Sequence, residues 1–372
     1  MTRRLLPGPR FARFEADPST GPVAGELHVI RGDSAGGALK SAGASAIIAL
    51  PDNLACGPSS RSWSAHPTLR ERYWRGEYAT THPGVVLTDT MGGWNPSKTW
   101  GADFSLLGRD GFLAKTRVGG PRSATLWSSG VWSDLLFLAW TVDALRRTQV
   151  EVRLAGDMKS TMPLGWLNPE QLSPLATTAV NLPDEVRLAL KDMWFAFTAP
   201  APDALEAMRR SPPTSLPTLR TGLAVHAALL PRAMGRTRRL QVSAVDEALL
   251  RLLSSRRLKR FPDLFKGSSQ FRSRWPRSGL YAMLHHFGEV FIQGRIAAWT
   301  KSAAIEQIET GPSETSRYTR AWRLTERGRQ LLATGLDGPD DAPGLRVGGY
   351  SSRRTPWCCV VERDGWRFAP CR

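Results

Sequence analysis

The sequence predicts an α/β protein with an N-terminal parallel-sheet, Rossmann-like domain, a helical middle and a winged-helix-like C-terminal domain. Three observations predict this. Short apolar runs alternate with helical patterns up to about residue 160, and apolar residues then recur every three or four positions. A capped helix, a basic connector and a strand-to-helix step follow. The expected organisation is an extended arm over 1–24, an α/β ligand-binding domain over 25–160, a helical region over 161–235, and a basic domain ending in a hairpin over 236–372.

The opening MTRRLLPGPRFARF is basic and lacks the apolar run of a signal peptide. The stretch ELHVIRGDSAGGALK then predicts a buried strand over Leu27–Ile30, a turn through Arg31-Gly32-Asp33-Ser34, and a helix opening through Gly36 and Gly37. Ala46–Leu50 is a fully apolar second strand that ends in the loop Pro51–Pro58. Pro67 and Gly76 bracket a helix. Residues 79–122, dense in Gly, Thr, Pro and Trp, show no period and are expected either as an inserted loop region or as irregular cover over the site. Ala124–Ser128, Trp132–Arg147 and Val150–Leu154 complete the alternation as strand, helix and strand, which implies right-handed crossovers and a parallel sheet.

Beyond residue 165, Pro183 with Asp184 and Glu185 opens a helix with the stripe Val186, Leu190, Met193, Trp194 and Phe197. A second stripe runs from Leu216 to Leu230 and stops at Pro231; Arg232–Arg239 is expected as a basic linker. Ser243 with Asp246 and Glu247 caps a helix to about residue 255, and a further helix is expected near 279–287. Trp322–Leu332 predicts a strand, Thr325 as N-cap and a short helix. The end predicts a hairpin, Trp357–Val361 and Trp366–Phe368, through Asp364-Gly365.

The formal net charge of +17 comes from 42 arginines and 8 lysines against 33 carboxylates. Arginine's planar fork suits phosphate and carboxylate partners. Four cysteines lack a paired CxxC spacing, so reduced thiols in a cytoplasmic protein are expected. The longest apolar run, Leu135–Trp140, is too short to span a bilayer.

The patterns HVIRGDSAGGALK, IIALPDNLACGP and LWSSGVWSDLLFLAW resemble the N-terminal block of the bacterial DUF1835 family, a family of unknown function. The likeness continues through KDMWFAFTAPAPDAL and LPTL, and returns in WRLTERGRQLLATG, LRVGGY and GWRF. The resemblance implies a domain arrangement and no activity.

In an open parallel sheet, ligands bind beyond the carboxyl ends of the strands. Three loops are expected there, bringing Gly32, Asp33, Ser34 and Gly36 together with Asp52, Asn53, Gly57 and Arg61, and with Trp132 and Asp134. The functional reading is a pocket for a phosphate-bearing small molecule, with a divalent cation on the carboxylates as an option; the structural reading is that Asp33 and Asp134 cap helices. Asp33, Ser34 and Asp134 are the candidate catalytic residues. Gly32-Asp33-Ser34 also resembles the nucleophile block of GDS-type hydrolases, whose late Asp-x-x-His is missing here. In the C-terminal half, Arg256, Arg257, Lys259, Arg260, Lys266, Arg272, Arg274 and Arg277 are candidate phosphate contacts. The apolar helix LYAMLHHFGEVF beside them offers little for base readout.

The favoured expectation is an anionic-ligand-binding protein that acts on nucleic acid or a protein partner through its basic domain, with no membrane association. The alternative is an enzyme, a hydrolase or transferase with or without a metal, working at the carboxyl ends of the N-terminal strands.

Overall fold

A computed structural model describes residues 26–74 apart from 45 and 51, residue 112, 123–234 apart from 147, 149 and 161, and then 239–254, 259–260, 280–309, 320–338, 341–351, 357–362 and 365–371. The expected arm (1–24), nearly all of the Trp/Gly-rich stretch (79–122) and most of the basic connector lie outside these residues.

The chain begins β1 (Leu27–Arg31), α1 (Asp33–Ser41), β2 (Ala46–Leu50), β3 (Gly57–Pro58) and α2 (Ala65–Arg72). It continues through β4 (Ser123–Trp127), α3 (Trp132–Leu145), β5 (Glu151–Ala155), α4 (Pro169–Thr177) and β6 (Val180–Asn181). The first sheet has the order β2-β1-β4-β5-β6, with β2, β1, β4 and β5 parallel and β6 antiparallel at the edge. The β-rich, apolar composition of these strands suits burial on both faces. Ile30 and Trp127 join Leu39 of α1 and Leu172 of α4 on one side; Leu27, Val29 and Leu126 join the core around α3 on the other. The chain leaves β1 toward β2 and returns to β4 on β1's opposite side, so the strand order reverses between β1 and β4. In such sheets that reversal opens a crevice at the carboxyl ends.

The middle is helical, as the spacing predicts: α5 (Asp184–Phe197), α6 (Asp203–Arg210) and α7 (Leu219–Ala227). α5 buries Val186, Leu190, Met193, Trp194 and Phe197 against α3. α4 escapes the sequence reading, although Asn168 and Gln171 close a reciprocal capping box at its start.

The remainder is β7 (Arg232–Met234), β8 (Arg239–Gln241), α8 (Ala244–Leu253), β9 (Lys259–Arg260), α9 (Leu280–Lys301), β10 (Ile305–Glu309), β11 (Arg320–Leu324), α10 (Glu326–Thr334), β12 (Arg346–Gly348), β13 (Tyr350–Ser351), β14 (Trp357–Glu362) and β15 (Gly365–Pro370). The expected caps are present: the Ser243 and Thr325 side chains accept from the Asp246 and Gly328 amides. α9 is far longer than expected, because its apolar pattern continues past Phe287 into a buried second half.

The linker expected over 232–239 instead carries two strands. β7 pairs parallel with β14, and Arg232, the first arginine of that run, is fixed by the Val242 carbonyl and the Glu247 carboxylate. β3 likewise pairs with β12. The N-terminal and C-terminal parts therefore share one sheet, the middle of the chain joins the C-terminal part in another, and all three share one continuous core.

Candidate functional site

The crevice is framed by the ends of β1 and β4. Gly32, at φ +90, is the N-cap of α1, and among the described residues no side chain makes a capping hydrogen bond there. Its amide donates to the Leu50 carbonyl at 2.8 Å, which carries the β1–β2 pairing one residue past the strand. Among the described residues, a Cβ on Gly32 would meet nothing within 4 Å, whereas one on Gly36 would lie 2.5 Å from the Cβ of Ala49. The two glycines thus differ in role: Gly32 faces open space with a backbone that favours glycine, and Gly36 lets α1 lie close on β2. Ser34, on the first turn, is exposed. Asp33 stands at the first helical position.

The loop after β4 brings Ser129, and the first turn of α3 brings Asp134. The Asp134 carboxylate, 2% exposed, accepts from Arg31 Nε at 2.6 Å, Ser129 Oγ at 2.6 Å and the Leu164 amide at 3.4 Å. It ties β1, the β4 loop and the 3-10 turn Leu164–Trp166 together. The turn after β5 seals this side: a Cβ on Gly130 would sit 2.6 Å from the Met158 carbonyl oxygen and 2.7 Å from that of Ser160. Arg31 and Ser129 were the partners a sequence reading understated. The only local signal is an arginine at the last position of a strand before a glycine turn.

The loop after β2 goes elsewhere. Asp52, 1% exposed, is gripped by Arg70, whose Nε donates at 2.8 Å and whose Nη2 donates to the second oxygen, and by Trp74 Nε1 at 3.1 Å. Arg70 Nη1 also donates to the carbonyls of Cys56 at 2.6 Å and Pro58 at 3.1 Å. Asn53 makes a local turn, its Oδ1 accepting from the Ala55 amide. Gly57, at φ +73, packs under the Tyr73 ring. Arg61 stacks 3.2 Å above the Phe195 ring and donates to the Phe195 carbonyl. Leu54, Ala55 and Cys56 belong to the core on the α3 side, opposite α1. Trp132 is fully buried against Phe197 and His226. Two of the three expected loops therefore meet, and the third is drawn into the core by Arg70.

Among the described residues, no three His, Cys, Asp or Glu side chains are grouped as metal ligands would be, and no helix is long and apolar enough to cross a membrane. Of the candidate phosphate contacts, only Lys259 and Arg260 fall within the described residues, as the backbone of β9 paired with β11. Arg256, Arg257, Lys266, Arg272, Arg274 and Arg277 lie outside them. No protein-family model matches the chain, and no curated protein matches it.

Proposed function

We propose that this protein binds a phosphate-bearing small molecule over the N-terminus of α1, and that its C-terminal part is a winged-helix-like module acting on nucleic acid or a protein partner. The observation that carries the first half is the uncapped start of α1 at the point where strand order reverses, with Gly32 facing open space. First-turn amides and the helix dipole favour an anion there, and Arg31 stands at the end of the adjoining strand. The DUF1835-like resemblance adds no chemistry to this reading.

The enzyme reading is less favoured. Asp134 already satisfies Arg31, Ser129 and an amide, which is the work of a structural carboxylate. His28, His66 and His226 are buried in packed surroundings, whereas a serine nucleophile at Ser34 needs a base within hydrogen-bond reach.

Ser34→Glu separates the possibilities. It places a carboxylate on the exposed first turn of α1, which suits the helix and occupies the ground an anion would take. Calorimetric titration with nucleoside mono-, di- and triphosphates and with inorganic phosphate should show binding to the parent chain and at least a tenfold loss in the variant, with Tm retained. Identical isotherms for the two proteins would remove α1 as the site.

The winged-helix reading rests on the strand order β10-β11-β9 with α8 before it and α9 between its strands. In that fold a helix enters the major groove and a hairpin reaches the backbone. Residues Phe291–Ile296 of α9 are buried on every side, and Arg295 is held by Asp246, so this half of the helix has no face for a groove. Phosphate contact without base readout is what remains. Duplex affinity should fall with salt on logarithmic axes by about 0.9 per phosphate contacted, and Arg272, Arg274 and Arg277 changed together to Ala should flatten the slope by roughly two to three units. A slope indifferent to that triple change would leave a protein partner as the reading.

A further inference from the structure

The last hairpin places two thiols on one side of a strand pair. Cys358 of β14 stands opposite Ala369 of β15 in an antiparallel register. Side chains alternate along a strand, so Cys371, two positions beyond Ala369, falls diagonally beside Cys358 on the same side. The thiols are neighbours: the Cys358 thiol donates at 3.8 Å to the carbonyl of Pro370, the residue next to Cys371, and lies close enough to Cys371 to perturb its thiol. Neither is bonded covalently.

The other cysteines are excluded by geometry. Cys359, next along β14, points to the opposite side, stands opposite Phe368 and is fully buried. Cys56 lies in the main core with its thiol on the Phe287 carbonyl.

We propose that Cys358 and Cys371 are an oxidation site that closes to a disulfide across the β14–β15 hairpin when the protein meets a disulfide oxidant. Cys358 is buried and Cys371 half-buried, so the approachable sulfur is Cys371. Its thiolate attacks one sulfur of the oxidant, breaking that S–S bond and releasing one thiolate. The Cys358 thiolate then attacks Cys371 in the mixed disulfide, forming the protein S–S bond and releasing the second thiol. Two protons and two electrons leave the protein with the two released thiols.

Backbone adjustment falls on Cys371, which lies just past the last laddered residue, Pro370, while β14 is held on both edges by β15 and β7. The Cys358 thiol beside it and partial burial both push the Cys371 thiol up, so closure is slow at neutral pH and quickens as pH rises. Closure staples the strand pair whose Phe368 amide donates to Glu206 of α6 at 3.1 Å, and so reaches the join between the middle and the end of the chain.

The test equilibrates the full chain with mixtures of reduced and oxidised glutathione, alkylates the free thiols and maps the digest by mass. A single Cys358–Cys371 linked peptide pair is expected, lighter by about 2 Da than the two reduced peptides, forming faster at pH 9 than at pH 7. Cys371→Ser should abolish it, and Cys359→Ser should leave it unchanged. Glutathione carried on Cys371 at every poise, a bridge through Cys359, or a disulfide between two chains would each overturn the proposal.

Discussion

Two aspartates in distant parts of the chain are held in the same way. Asp52 accepts from Arg70 and Trp74; Asp246 accepts from Arg295 at 2.9 and 2.6 Å and from Trp299 at 2.8 Å. In each case the arginine and tryptophan stand four residues apart on one helical turn, so both reach the same carboxylate. The spare arginine nitrogen then pins a passing loop, at Cys56 and Pro58 in one and at Pro343 and Gly344 in the other. Removing one partner leaves a buried charge uncompensated, which costs roughly 3–5 kcal/mol. Arg70→Ala and Arg295→Ala should each lower the denaturant midpoint accordingly, and Arg70→Ala combined with Asp52→Ala should lose less than the two separate changes added. The histidines make a second prediction at this scale. Burial holds His226 down to about 4, and burial reinforced by Arg70 holds His66 at about 3. Both stay neutral in the fold while the unfolded chain protonates near 6.5, so stability is full above that pH and falls below it, by about 2 kcal/mol per histidine at pH 5. Urea melts of the parent and His226→Phe at pH 7 and pH 5 should show the variant losing less. Asp52 was legible as a polar loop residue but not as a clamp, because Arg70 lies 18 positions away and carries no local signature.

At the scale of elements, α1 shows why neighbouring glycines are not equivalent. Gly37 has nothing within 4 Å of a would-be Cβ and an ordinary helical backbone, so Gly37→Ala should stabilise by about 0.5–1 kcal/mol. Gly36→Ala presses on Ala49 and should cost about 1–3 kcal/mol. Gly32→Ala meets no atom but forces an L residue to φ +90, a strain of about 1–3 kcal/mol. Three chemical melts, compared at one temperature, decide the order. The stretch Gly32–Gly37 read as a strand-to-helix turn without help from the structure, since glycines and an apolar strand are local signals. Which glycine touches a neighbour depends on where β2 lies, and that is set by register.

For the molecule as a whole, two strand pairs bind the end of the chain to what precedes it: β3 with β12 and β7 with β14. The expected boundary at 235/236 falls between β7 and β8, which pair with each other. A chain ending at residue 235 would lose β14 from beside β7, β12 from beside β3 and α9 from beside Cys56. It should therefore fail to give the single cooperative calorimetric transition expected of the full chain; a sharp independent melt would show that the α/β part stands alone. The alternation of strands and helices, the Ser243 and Thr325 caps, the stripe of α5 and the final hairpin were all determined by the sequence, because each rests on residues within one turn or one strand of each other. Pairings between the ends of the chain, the burial of α9, the diversion of the Asp52 loop and the meeting of Cys358 with Cys371 were decided only by tertiary structure. Each depends on which distant segment arrives beside it, and no local periodicity or propensity carries that information.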